Sequence, residues 1–277
     1  MDSTPGNQRI AFVGGGNMAR ALIAGLLRHG ATAAQLVVGE PDPAQRAGLQ
    51  REFGVGATAD NAAAVAAARV VVLAVKPQEM ARVAATVAPA LARGTLLLSV
   101  AAGITTADLA RWYAGATVVR AMPNRPALVG AGVTGLYAPA GLDASTHALA
   151  DAVMSAAGRT VWVQREPDLD TVTALSGSGP AYFFLLAEQM AAAGVALGLE
   201  PAAAQLLAAE TLYGAGQLAH ADPALDRQRI AVTSKGGTTE AALARFAAGD
   251  FAALVRDAVD AAARRSAELA RQFGSGN

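Results

Sequence analysis

Cysteine is absent from this 277-residue chain, which excludes disulfides, thiolate nucleophiles and cysteine-ligated metals. Histidine is scarce: His29, His147 and His220 stand far apart and no carboxylate–histidine cluster forms, so nothing points to a metal centre. Lysine occurs only at positions 76 and 235. Charged residues make up 16% of the chain, the formal net charge is zero and no basic run is present, which argues against a nucleic-acid or anionic-membrane partner. No stretch reaches the roughly 18–20 uninterrupted apolar residues of a membrane span. Met1 to Gln8 is short, polar and without the pattern of a signal peptide. The expectation is a soluble, cytoplasmic protein.

What is plentiful is apolar. The chain is 53% hydrophobic and rich in alanine, so a sizeable core and much helix are expected. The length suits one large domain or two modest ones.

The first half alternates strands and helices. Arg9 to Val13 is a short apolar strand, Gly14-Gly-Gly-Asn-Met-Ala19 follows, and a helix runs to about His29 with Gly30 at its end. The spacing is G-x-G-x-x-A. Gly14 makes the tight turn, Gly16 lets a pyrophosphate approach the helix N-terminus, and Ala19 keeps helix and strand close. Leu36 to Gly39 is the second strand, and Asp42-Pro43 opens a helix to Phe53. Glu40 stands where an acid accepts a ribose 2′-hydroxyl; the alternative is that it faces solvent on the Gly39–Asp42 turn. Arg46 lies close by, and the cofactor preference stays open. Val70 to Val75 reads as a buried parallel strand ending at Lys76-Pro77, where ligands of doubly wound sheets sit. Strands over 96–99, 118–120, 133–137 and 160–163 complete a sheet expected to be mostly parallel. Asn124 lies in the proline-bounded loop Met122–Pro126, either facing a ligand or capping the local turn.

After Gln164 no strand pattern remains. The expected boundary falls there: residues 1–164 form a Rossmann-type α/β domain, and residues 165–277 an all-α domain. Ser176-Gly-Ser-Gly-Pro180 leads into a long helix ending near Leu197, Pro201 starts another, Asp222-Pro223 a short one, and Asp250 caps the last. Helices this apolar call for packing between subunits.

Within that half, Ser234-Lys-Gly-Gly-Thr-Thr-Glu240 is a glycine loop feeding a helix expected over 240–246. Such a loop aims several N–H groups at one spot and prefers an anion there.

Taken together, Phe12-Val-Gly-Gly-Gly-Asn-Met18, Leu73-Ala-Val-Lys-Pro-Gln78, Val119-Arg-Ala-Met-Pro-Asn124, Leu175-Ser-Gly-Ser-Gly-Pro-Ala-Tyr182 and Val232-Thr-Ser-Lys-Gly-Gly-Thr-Thr239 make the chain resemble the pyrroline-5-carboxylate reductases over essentially its whole length. The resemblance implies reduction of 1-pyrroline-5-carboxylate to L-proline, with NADPH or alternatively NADH as cofactor. It also implies a homodimer built by the helical domain, and a ring of dimers such as a decamer. By motif it assigns Gly14, Gly16, Asn17, Met18, Asn61, Ala74, Lys76 and Pro77 to the cofactor. Ser234, Gly236, Gly237, Thr238 and Thr239 go to the substrate. The residue types of the loop, two glycines and then two threonines at a helix start with no arginine, add the expectation that Thr239 is the catalytic residue and hydrogen-bonds the imine nitrogen. Two departures are visible: the family usually has threonine where Arg125 stands, and often proline where Lys235 stands.

A protonated cyclic imine is already electrophilic. Its reduction needs positioning and charge complementarity rather than a metal or a strong acid, which suits this residue set. Two alternatives differ in what they require. A β-hydroxyacid dehydrogenase would use a lysine on a helix of the second domain, where only Lys235, in a loop, is found. A non-catalytic NAD(P)-binding protein has no need of a second anion cradle.

Overall fold

A computed structural model of the chain describes residues 8–274. Of the short polar N-terminal stretch, Met1 to Asn7 lie outside the described residues. The chain divides into two compact units. One comprises residues 1–177 together with 262–277, the other residues 178–261. The expected boundary after Gln164 falls before this division, and the sequence carries no sign that the end of the last helix returns to the first unit.

The first unit is built on an eight-stranded sheet. The strands are β1 (Ile10–Val13), β2 (Leu36–Gly39), β3 (Gly56–Thr58), β4 (Val70–Leu73), β5 (Leu96–Ser99), β6 (Thr117–Met122), β7 (Gly132–Tyr137) and β8 (Gly158–Trp162), in spatial order β3-β2-β1-β4-β5-β6-β7-β8. Every neighbouring pair is parallel except β6 and β7, where Arg120 faces Tyr137 and Met122 faces Gly135 in an antiparallel ladder. The cause is the connection. Pro123 to Ala131 is too short for the helical crossover that a parallel pair needs.

Side chains alternate across this sheet, and the two faces have separate cores. Ile10, Phe12, Val38, Val72 and Leu98 point to one face, covered by α1 (Asn17–Arg28) and α6 (Ala144–Ser155) through Leu22, Leu26, Val153 and Met154. Ala11, Val13, Val71, Leu73 and Leu97 point to the other. Ala64 and Val65 of α3 (Asn61–Val65), Met80 and Val83 of α4 (Met80–Val87) and Leu109 of α5 (Thr106–Trp112) cover that face. Burial on both faces explains why these strands read as continuous apolar runs. β3 escapes that pattern: Gly-Ala-Thr is short, half-exposed and, at the sheet edge, paired with β2 alone.

The remaining helix of the nucleotide half is α2 (Pro43–Phe53), capped by Asp42 with Pro43 in its first turn, as the sequence indicates. A short α7 (Asp168–Val172) and a π-helical turn over Thr173–Gly177 then lead out of the sheet.

The second unit contains α8 (Gly179–Ala196), α9 (Pro201–Ala221), α10 (Leu225–Ala231), α11 (Thr238–Ala248) and the start of α12 (Phe251–Gly274). α8 and α9 pack together and leave an apolar cleft of about 690 Å³ between Phe184, Ala191, Pro201 and Leu212. Phe183, Phe184, Leu185, Leu206, Leu207 and Tyr213 are each more than half exposed. α8 and α9 are apolar on every side rather than along one stripe, which marks faces meant for burial elsewhere.

The far end of α12 belongs to the first unit. Ser266 donates to Asp170 at 2.7 Å, and Ala270 and Phe273 press on Gly103, whose φ is +78°.

Candidate active site

The β1–α1 turn has the geometry of a nucleotide loop. Gly14 has a φ of +97°, and a Cβ there would stand 2.7 Å from the Ala74 carbonyl oxygen. Only glycine fits. The Gly14 N–H bonds the Gly39 carbonyl at 2.8 Å, tying the loop to the end of β2. Gly16 is different. A Cβ there meets nothing within 4 Å, and no side chain caps α1 at this position. The N-terminal N–H groups of α1 therefore face open space, with the helix dipole behind them. Asn17 is exposed and Met18 half-buried, while Ala19 is fully buried against the sheet.

Gly15 brings in a residue whose role the sequence left open. Its N–H donates to Oε2 of Glu40 at 2.8 Å, and Oε1 of the same carboxylate accepts from the Asp42 N–H at 2.9 Å. Glu40 is only 7% exposed. It therefore faces neither solvent nor a ribose but the inside of the loop. Arg46 lies over the same turn, its Nη1 donating to the carbonyls of Glu40 at 2.8 Å and Pro41 at 2.7 Å.

Asn61 opens α3 beside the end of β2, so close that a Cβ on Gly39 would lie 2.3 Å from its Oδ1. That Oδ1 is buried and has no hydrogen-bond partner. Ala74 and Pro77 are half-buried at the end of β4, and Lys76 is exposed between them. The loop thus offers an uncapped helix start, a backbone that a pyrophosphate can approach and one orphaned acceptor suited to a hydroxyl donor. These residues fit a nicotinamide dinucleotide.

Asn124 is engaged with distant backbone rather than with its own turn. Its Oδ1 accepts from the Val133 N–H at 2.9 Å and its Nδ2 donates to the Ser176 carbonyl at 3.2 Å, so it ties the β6–β7 loop to the π-helical turn. Arg125, one of the two departures, is exposed beside it.

The second loop lies in the other unit. Ser234 to Gly237 is a tight turn: the Gly237 N–H bonds the Ser234 carbonyl at 3.0 Å, and Gly236 has a φ of +71°. A third-position residue with positive φ is what a type II turn requires. Gly237 is needed for another reason, since a Cβ there would stand 2.5 Å from the Ser234 hydroxyl. α11 begins at Thr238, two residues before the expected Glu240, with Gly237 at its N-cap and no side chain capping it. Thr238 and Thr239 are therefore in its first turn. Lys235 is exposed at the tip. Sequence reasoning missed Glu240: its carboxylate reaches back to accept from the Gly236 N–H at 2.7 Å. The signal was a glutamate in the third helical position after a glycine cap, but its carboxylate bonds the residue before the cap rather than closing a capping box, because the Gly237 N–H goes to the Ser234 carbonyl. That N–H is occupied, so the free donors of this loop lie further along, at Thr238 and Thr239.

A doubly wound sheet with this glycine loop, joined to an apolar helical unit, defines a nicotinamide-dependent oxidoreductase. Residues 9–103 match the family model described as NADP oxidoreductase, coenzyme F420-dependent, and residues 166–269 match that of pyrroline-5-carboxylate reductase dimerisation. The pyrroline-5-carboxylate reductase of Pseudomonas aeruginosa is 49% identical over 98% of this chain and 99% of its own length. The structure of the Coxiella burnetii pyrroline-5-carboxylate reductase superposes with a TM-score of 0.91 at 38% identity, covering 95% of this chain and 98% of that one. The Plasmodium falciparum pyrroline carboxylate reductase, solved with NADP bound, gives 0.81 at 25% identity with the same coverage. The chain belongs to the pyrroline-5-carboxylate reductase family, and the β-hydroxyacid dehydrogenase alternative falls away. The matched dimerisation region supports oligomerisation and accounts for the apolar helix faces. Among the described residues no helix is long and apolar enough to cross a membrane.

Proposed function

We propose that the chain reduces 1-pyrroline-5-carboxylate to L-proline, the final step of proline biosynthesis, with NADPH as the preferred cofactor, as a cytoplasmic homodimer that assembles further into a ring such as a decamer. The observation that carries the reading is the pair of loops of different design, one fitted to a dinucleotide and one to a small anion.

When bound, the reduced nicotinamide supplies the hydride that the imine carbon takes up. The chain's own residues do the rest. Gly16, Asn17 and Met18 hold the pyrophosphate at the start of α1. Asn61 offers its unpaired Oδ1 to a hydroxyl, and Ala74, Lys76 and Pro77 line the cofactor at the end of β4. Ser234 and the two glycines shape the second loop. The N–H groups of Thr238 and Thr239 take the substrate carboxylate, stabilised by the helix dipole. The Thr239 hydroxyl hydrogen-bonds the imine nitrogen, fixing its orientation and relaying its proton.

The test is oxidation of NADPH by the purified protein with 1-pyrroline-5-carboxylate, run beside 3-hydroxyisobutyrate with NADP⁺. Turnover of the imine alone is expected, and turnover of the hydroxyacid alone would overturn the reading. Light scattering at micromolar concentration should find a dimer or a multiple of it. A folded, active monomer would remove the assembly part.

A further inference from the structure

We propose that Glu40 is a positioning residue for the dinucleotide loop rather than a reader of the ribose, and that Arg46 is the group in this turn that recognises the 2′-phosphate of NADPH. The inference rests on the nicotinamide-cofactor reading above and adds the residues that set its specificity.

An acid at the end of the second strand ordinarily accepts the ribose 2′-hydroxyl and repels a 2′-phosphate. Glu40 stands at that position in the sequence, yet its side chain is buried and both oxygens are turned to backbone N–H groups. Oε2 is held by the Gly15 N–H at 2.8 Å and Oε1 by the Asp42 N–H at 2.9 Å. Its own N–H is fixed to the Thr58 carbonyl at 2.9 Å, so the backbone does not turn the side chain outward. Leu49 packs on the same loop: a Cβ on Gly15 would lie 2.6 Å from its Cδ1 and 3.3 Å from Glu40 Oε2. Two charge-assisted bonds in a buried setting make this the settled position of the carboxylate, because swinging out would leave two N–H groups without partners. The oxygens that would face a ribose 2′-hydroxyl are thereby turned into the loop.

The positive charge of the turn is disposed differently. Arg46 anchors one guanidinium nitrogen on the Glu40 and Pro41 carbonyls, and no carboxylate among the described residues pairs with it. Asp42, the nearest free acid in sequence, is committed to capping α2 through the Ala44 N–H at 2.8 Å. The guanidinium keeps its remaining donors, in the planar fork that suits a phosphate.

The test is a set of equilibrium titrations of the unliganded protein with NADPH and with NADH, read by nucleotide fluorescence. They are accompanied by thermal melts without nucleotide, for the wild type, Arg46→Met, Glu40→Gln and Glu40→Ala. The wild type should bind NADPH at least about tenfold more tightly than NADH, and Arg46→Met should weaken NADPH by roughly 10- to 100-fold while leaving NADH nearly unchanged. Glu40→Ala should lower the melting temperature and weaken both nucleotides by the same factor. Glu40→Gln, which keeps one acceptor oxygen, should fall between. An Arg46→Met variant that weakens both nucleotides alike overturns the proposal. So does a Glu40→Ala variant that loses NADH alone or gains NADPH affinity. A wild type that binds neither nucleotide overturns the cofactor reading and this inference with it. Binding of either by the wild type keeps that reading, so the two failures are distinguishable.

Discussion

Arg120, on the sixth strand, donates to Glu166 at 2.8 Å, and the same carboxylate accepts from the Thr106 N–H at 2.6 Å and the Thr106 hydroxyl at 2.8 Å. One acid thus gathers the end of β6, the start of α5 and the approach to α7. The ion pair is largely shielded, with the Arg120 side chain 10% and that of Glu166 22% exposed. Removing one partner strands the other charge. Arg120→Met should cost about 3 kcal/mol of stability, and the double variant Arg120→Met/Glu166→Gln less than the sum of the two singles. Thermal or denaturant unfolding of the three variants checks this.

The glycines of the first loop separate fold from ligand. Gly14→Ala should destabilise the protein, because the positive φ and the Ala74 carbonyl leave no room for a Cβ. Gly16→Val should leave the melting temperature nearly unchanged, since the space there is open. It should nevertheless weaken dinucleotide binding by at least about tenfold by filling the approach of the pyrophosphate. Melts and nucleotide titrations of both variants give opposite patterns if the loop is assigned correctly.

Thr239→Ala should lower kcat/KM for the imine by roughly 10- to 100-fold, the worth of one hydrogen bond to a charged partner. Dinucleotide affinity should stay within a factor of about two, as the loop belongs to the second unit. Thr239→Ser should keep most of the activity. Full turnover in Thr239→Ala would remove the residue from the catalytic role.

Asp143, the cap of α6, gives a pH signature. Hydrogen bonds from the Ser145 hydroxyl and from the Thr146 hydroxyl and N–H hold its carboxyl well below the usual carboxylate range. A folded-state value below the unfolded one means that the stabilisation is complete above the unfolded value of about 3.9 and fades as the pH drops through the folded one. Asp143→Ala should therefore lower the melting temperature by about 2–4 °C at neutral pH. The gap from the wild type should close only below about pH 4. A gap that stays constant down to pH 3 would show that the cap acts without its charge.

The sequence disclosed the parts of this molecule whose geometry is dictated by local sterics. Gly14 and Ala19 had to be small for reasons that a strand–turn–helix reading contains, and Asp42-Pro43 states a helix start in two residues. The direction of a side chain at a strand end is not local. Glu40 could face solvent, ribose or loop until the positions of Gly15 and Asp42 were known. Asn124 had the same ambiguity, and Val133 and Ser176, both distant in sequence, decide it. In the second loop the positive φ that glycine allows is used at Gly236 and not at Gly237, whose φ is −85°, and the competition of the Glu240 carboxylate for the Gly236 N–H depends on the helix starting at Thr238. β3 was missed because pairing, not composition, makes it a strand.

The return of α12 to the sheet-bearing unit makes that unit discontinuous along the chain. Asp170 and Gly103 receive their cover from residues 266–273, which follow the whole second unit in the chain. A nucleotide-binding half cut after residue 164 lacks this cover and also Asp170 itself. It should be poorly soluble, whereas inserting a foreign sequence at the tip of the Lys235 turn leaves both segments of the unit intact. For the same reason a gene fusion that joins the first half to an unrelated partner end to end does not reproduce the unit. Exchange of modules in this architecture would have to proceed by insertion, with residues 178–261 as the natural cassette.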